Sequence, residues 1–167
     1  MKLIEFPNEI LKQKMPDFDF YSETDPVKLE KEMIDIMHQS NGIGLSANQV
    51  GFRGRVFVMQ PQILDNKTPF ALFNPILLEQ SKEESLNEEG CLSFPNLFLE
   101  VKRSKKIKVQ YVDKHQNTCI IELTDIDARC FLHELDHLNG ICFTDKISQL
   151  RLALALKKQR KKNGRTK

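Results

Sequence analysis

Apolar and polar positions along the chain switch between two periods. Over residues 25–40, Leu29, Met33, Ile36 and Met37 recur at spacings of three and four, the stripe of an amphipathic helix. Asp25 is placed to cap this helix, Pro26 suits its first position, and Gly42 and Gly44 are expected to end it. Shorter runs with β character follow at 56–60, 70–73, 76–78, 97–101, 107–112 and 118–123. Several alternate apolar with polar, and turn-forming residues separate them. Residues 113–117 read as a hairpin connection. A second helix is predicted over 125–139, stopped at Gly140, with Thr124 and Asp127 as a variant capping box. A third is predicted over 147–161, with Leu150, Leu154 and Leu156 apolar. The order helix, strands, helix, helix predicts the α+β class. The expected architecture is a single domain with antiparallel strands around the central 125–139 helix, followed by a C-terminal helix.

Composition adds limits to this picture. A chain of 167 residues, 40% hydrophobic and 29% charged, fits one ordinary globular domain. No apolar run reaches the length of a membrane span. Residues 1–15 carry neither a continuous apolar signal core nor an Arg/Ser-rich transit character, so the expected location is the cytoplasm or an equivalent compartment of synthesis. Cys91, Cys119, Cys130 and Cys142 include no C-x-x-C pair, and free thiols or metal ligands are expected rather than a disulfide framework.

The net charge of +2 hides an asymmetry. Lys157, Lys158, Arg160, Lys161, Lys162, Arg165 and Lys167 stand together without an acid. Setting those seven aside leaves 18 basic against 23 acidic residues, a body of −5. The expected division is a catalytic domain over 1–156 and a basic tail over 157–167 with an anionic partner.

The densest chemistry is His133-Glu134-Leu135-Asp136-His137. On a helix, positions i and i+4 share a face, so two imidazoles so spaced can bind one metal ion. Glu134, beside the first imidazole, can act as base toward a metal-activated water. A catalytic site usually has a third protein ligand. Phe143 stands where a downstream His would complete a longer motif, and no Glu follows Glu134. The third ligand is therefore expected upstream or from a cysteine. Asp145 is a remote candidate. Cys130 reads as a small hydrophobe packed under the site. Taken alone, Cys91 also reads more readily as a buried structural cysteine than as a ligand.

Three segments, Gly42-Ile43-Gly44-Leu45-Ser46-Ala47-Asn48-Gln49, Glu89-Gly90-Cys91-Leu92-Ser93 and His133 through Gly140, together resemble the peptide deformylase family in order and separation. The resemblance extends weakly from about Ile4 to Lys161. It implies a metal-dependent hydrolase that releases formate from the formyl-methionyl ends of nascent proteins. It implies one divalent metal per chain on Cys91, His133 and His137, with Fe²⁺ native and Zn²⁺, Ni²⁺ or Co²⁺ able to replace it. Glu134 takes the acid–base role, and the Gln49 amide and the Leu92 backbone N–H stabilise the oxyanion. Ile43, Gly44 and Gly90 are expected to contact the peptide. The implied partners are the N-formyl-Met nascent peptide and, through the basic tail, the ribosome; a monomer without membrane attachment is expected.

Departures from the family pattern are Leu132 for Gln, Ser46 and Asn48 for Ala and Thr, and Phe98 for Arg in the region lining the peptide site. Two other readings remain at this point. One is a metallopeptidase or deacylase acting on another N-acyl group. The other is a metal-containing ribosome-binding protein that has lost catalysis.

Overall fold

The computed structural model describes residues 1–163. Helix α1 spans Pro26–Gln39, and the Asp25 carboxylate caps it by accepting from the N–H groups of Val27 and Lys28. It stops before the two expected glycines. Asn41, with φ 55, makes the left-handed turn, and the Gly42 N–H closes back onto Met37 O.

A five-stranded antiparallel sheet follows the order β1-β2-β3-β6-β7, from β1 Gly44–Ser46, β2 Val56–Met59, β3 Phe70–Gln80, β6 Lys106–Val112 and β7 Thr118–Thr124. The runs predicted at 70–73 and 76–78 are one strand. A register shift between Phe73 and Ile76 interrupts it where Asn74 takes φ 49. The Asn74 amide there both donates to and accepts from the Phe18 backbone, which ties the N-terminal segment to the sheet.

Strand β2 is buried throughout, and its side chains serve two cores by simple alternation. Phe57 and Met59 join Leu72, Val109 and Leu123 beneath Phe131, Ala128 and Leu138 of helix α2, Asp125–Leu138. Val56 and Val58 join Ala71 and Phe73 against Leu29, Met33 and Met37 of α1. The two helices thus cover opposite faces of the sheet.

A separate two-stranded ribbon, β4 Glu84–Cys91 with β5 Phe94–Ser104, lies beyond α2. Leu97, Leu99 and Val101 form a third core with Leu11 and Phe143. Helix α3, Gln149–Asn163, closes this core with Leu152, Ala155 and Leu156. It continues past Leu156 into the basic run that begins at Lys157. The side chains from Arg160 onward, and residues 164–167 altogether, lie outside the described residues, and with them much of the predicted basic tail.

Antiparallel strands therefore surround a central HExxH helix in one α+β domain, as the sequence predicted. The capping-box expectation differs. Thr124 makes no side-chain cap bond, and the Asp127 carboxylate instead accepts the N–H groups of Gln62, Ile63 and Leu64. That acid fastens the loop after β2 to α2. At the other end of α2, Gly140 has φ 73, and a Cβ there would stand 2.5 Å from Lys12 O. Only glycine meets both conditions.

Candidate metal centre and active site

Helix α2 carries His133 and His137 one turn apart, with ring centroids 5.0 Å apart. The end of β4 brings Cys91 to the same point, with its Sγ 3.2 Å from His137 Nε2. The candidate ligand atoms of Cys91, His133 and His137 lie within 4.8 Å of one another. One thiol and two imidazoles converging in this way have the chemistry of a divalent transition-metal site. Among the described residues, this is the cluster with metal-ligand geometry.

His133 is oriented from behind. Its Nδ1 lies 3.0 Å from Glu89 Oε2, which leaves Nε2 to point elsewhere. Glu89 is itself gripped by Arg103 through Nε and Nη2 at 2.7 and 3.0 Å, and by Arg129 Nη1 at 2.6 Å. Arg103 also reaches Asp136, and Arg129 donates to Val101 O and Ser85 O. This buried ion cluster ties the cysteine-bearing ribbon to the histidine-bearing helix. Burial acts to raise the Glu89 carboxyl, but the bonds from His133 and Arg103 prevail and hold it at about 2. Burial likewise opposes charge on His133, yet hydrogen bonds to Cys91 and Glu89 outweigh it and lift the imidazole to about 10. His137 moves the other way, held well below the usual imidazole value by burial first and then by His133.

Glu134 points into the same space. The Ser46 hydroxyl donates to its Oε2 at 2.7 Å and lies 2.9 Å from its backbone carbonyl. Burial raises the Glu134 carboxyl above its usual range, while His133 and Ser46 pull the other way. Gly44 makes room for it: a Cβ there would sit 2.5 Å from Glu134 Oε1 and 2.7 Å from Cys130 Sγ. Cys130 donates to Ile43 O, and burial pushes its thiol well up.

Gln49 is fixed in one sense. The Ser46 N–H donates to its Oε1 at 2.8 Å, so the amide NH₂ must face the other way. There Nε2 meets Ser93 Oγ at 3.1 Å and Cys91 Sγ at 3.6 Å. Asn48 secures α2 by donating to His137 O at 2.7 Å. Leu132 packs against the core between sheet and helix. A cleft of about 660 Å³ opens over these groups, and Ile43, Gly44, Gly90, Leu92 and Phe98 line it. Glu89, Arg103 and Arg129 were not singled out in the sequence. Glu89 stands in a quoted motif without a role, and nothing local marks the two arginines.

The family model for polypeptide deformylase matches residues 1–153. A peptide deformylase from Thermotoga maritima is 39% identical over 153 residues, covering 92% of this chain and 90% of its own. The crystal structure of peptide deformylase from Ehrlichia chaffeensis superposes with a TM-score of 0.86 at 31% identity, over 99% of this chain and 98% of that one. That of a peptide deformylase from Synechococcus elongatus in complex with actinonin gives 0.86 at 29% identity, over 95% and 85%. A match of this extent, on a chain whose HExxH helix meets a cysteine, places the protein in the polypeptide deformylase family, metal-dependent hydrolases that remove the N-formyl group from nascent peptides.

Proposed function

We propose that Cys91, His133 and His137 hold one divalent metal, natively Fe²⁺, and that Glu134, Gln49 and Leu92 carry out deformylation beside it. The observation that carries this reading is the convergence of the three candidate ligands at one point, two of which, Cys91 and His133, line one cleft together with Glu134 and Gln49. When bound, the metal supplies Lewis acidity that brings the pKa of a coordinated water toward neutrality. Zn²⁺, Ni²⁺ or Co²⁺ fits the same donors.

Glu134 accepts a proton from the attacking water and returns it to the departing amine. Burial raises this carboxyl, which makes the carboxylate a stronger base toward that water. The oxygen of the new C–O bond stays with the formyl carbon as formate, and the C–N bond breaks. Charge that builds on the formyl oxygen meets the Gln49 NH₂ and the Leu92 backbone N–H. One such donor is typically worth about 3 kcal/mol of barrier. Ser46 supports this twice, through its N–H to Gln49 and its hydroxyl to Glu134.

Strand β1 ends the five-stranded sheet, and β4 pairs within its ribbon with β5 alone. Both line the cleft, so an extended peptide can lie between two strand edges, with Ile43 and Gly44 on one side and Gly90 on the other. The peptide is the N-formyl-Met end of a nascent chain in the cytoplasm or an equivalent compartment. No helix among the described residues is long and apolar enough to cross a membrane. The enzyme works as a monomer with a catalytic domain over 1–156, and its basic run 157–167 contacts ribosomal RNA.

The test is a substrate panel: formyl-Met, acetyl-Met and unblocked peptides of one sequence, with formate, acetate and internal fragments measured. Formate release from the formyl peptide alone is expected. Internal cleavage, or faster acetate release, would overturn the reading in favour of a peptidase or another deacylase.

A further inference from the structure

The short 3-10 turn Ala47–Val50, with Ser46 at its N-cap, sets three polar side chains against the candidate metal centre. Ser46 takes Glu134, and Gln49 meets Cys91. Asn48 takes His137, and both of these residues are fully buried. The Asn48 Nδ2 donates to His137 O at 2.7 Å. Only the NH₂ end of an amide can donate to a carbonyl, so the orientation of this side chain is fixed. Its Oδ1 is thereby turned to the remaining side, where it meets no hydrogen-bond partner.

His137 has the matching deficit. Its Nε2 lies 3.2 Å from Cys91 Sγ and so faces the candidate metal position. Nδ1 is the ring nitrogen nearer the backbone, the part of His137 that Asn48 already touches. It too meets no partner. Among the described residues, these are the two buried side-chain polar atoms left in that condition. Buried polar atoms are nearly always paired, and each exception asks for a cause. One of the two is an acceptor. The other becomes a donor once Nε2 is a metal ligand, because the neutral imidazole then carries its proton on Nδ1.

We propose that Asn48 is the positioning residue of His137: its Oδ1 accepts the Nδ1 proton, in direct contact or through one enclosed water, and so holds Nε2 toward the metal. This rests on the reading of Cys91, His133 and His137 as ligands. A ligating imidazole regularly donates its second N–H to a carbonyl, a carboxylate or a water. A water enclosed between Asn48 Oδ1 and His137 Nδ1 has one acceptor and one donor to bind. The two imidazoles are then held alike from behind, His133 by the Glu89 carboxylate and His137 by a neutral amide. Asn48 is one of the departures from the family pattern, which therefore assigns it no role.

The experiment measures zinc affinity, by competition with a chelator, in the wild-type protein, Asn48→Ala and Asn48→Asp. Asn48→Ala is expected to bind zinc about 10–100-fold more weakly, the usual cost of losing such a partner. Asn48→Asp keeps an acceptor oxygen, although its carboxylate cannot donate to His137 O, and is expected to recover most of that loss. A residue that only clamps α2 through Nδ2 would fail as badly with Asp as with Ala. NMR of the zinc-loaded wild-type protein with ¹⁵N-labelled histidine reads the bond without any variant. The His137 Nδ1 proton should be visible and should exchange far more slowly than a ring proton of the exposed His115. In Asn48→Ala its resonance should shift, while that of His133, held by Glu89, stays in place. Thermal unfolding separates lost metal from lost fold, and if a variant does not fold, the wild-type spectrum decides. Wild-type zinc affinity in Asn48→Ala, a folded Asn48→Asp as weak as Asn48→Ala, or a His137 Nδ1 without a protected proton overturns the proposal and leaves the ligand reading intact. Absence of zinc binding by the wild-type protein overturns both.

Discussion

Cys91 and Cys130 show how little residue type alone decides. Both are near the HExxH histidines, one by space and one by sequence. Cys130 shares a helix face with His133, yet its thiol bonds Ile43 O and burial holds the proton on it. Cys91 comes from another element and meets His137 Nε2. Cys91→Ala, His133→Ala and His137→Ala are each expected to lose bound metal and activity, whereas Cys130→Ala should keep the metal at a modest packing cost. Metal content per chain checks this, and a metal-free Cys130→Ala beside a metal-replete Cys91→Ala would reverse the assignment. Glu134→Gln should retain the metal and lose at least ~10²-fold in kcat, the usual scale for a general base. Near-normal turnover in that variant would remove Glu134 from the proton path. Motif spacing made His133, Glu134 and His137 legible, and the family resemblance alone named Cys91, Gln49 and Leu92. The groups that aim them were not: Arg103 and Arg129 act through Glu89 across contacts distant in sequence.

At the scale of elements, alternation and capping made α1, β2 and the hairpin of β6 and β7 readable. Strand β4 escaped because Glu84-Ser-Leu-Asn-Glu-Glu carries no apolar face; it is held by its pairing with β5 and by the buried ion pairs of Glu89 with Arg129 of α2 and Arg103 of β5. Strand β1 is only three residues long, too short for a period. It nevertheless sets a tight tolerance at the site. Gly44 faces Glu134 and Cys130 so closely that one added methyl group must push β1 from α2 or turn the carboxylate aside. Gly44→Ala is therefore expected to cost about 1–3 kcal/mol of stability by overpacking. It should also lower kcat at least ~10-fold, because Glu134 loses its position. Chemical denaturation and formate-release kinetics measure the two separately. An unchanged kcat would mean that the helix yields without disturbing the carboxylate.

For the whole molecule, the α+β class and the central helix followed from element order, while the split into a five-stranded sheet and a separate ribbon did not. That split depends on which strands pair, and no local signal reports it. It matters because the cleft lies between the two. The charge asymmetry belongs to this scale as well. An acidic body followed by seven basic residues fits contact with ribosomal RNA, and binding through phosphate contacts must weaken steeply with salt. Deleting residues 157–167 is expected to reduce co-sedimentation with ribosomes at low salt and to leave hydrolysis of a short formyl peptide nearly unchanged. Unaltered ribosome binding would refute the role of the basic run; lost peptide hydrolysis would make it structural.

The proposed chemistry depends on a single metal held by Cys91, His133 and His137. The most direct measurement is a titration of metal-stripped protein with Fe²⁺ under exclusion of oxygen, following formate release from a formyl-Met peptide. Activity should rise linearly from near zero and break at one metal per chain, with His137→Ala remaining inactive throughout. Full activity before any metal is added, or a break at two equivalents, would contradict it.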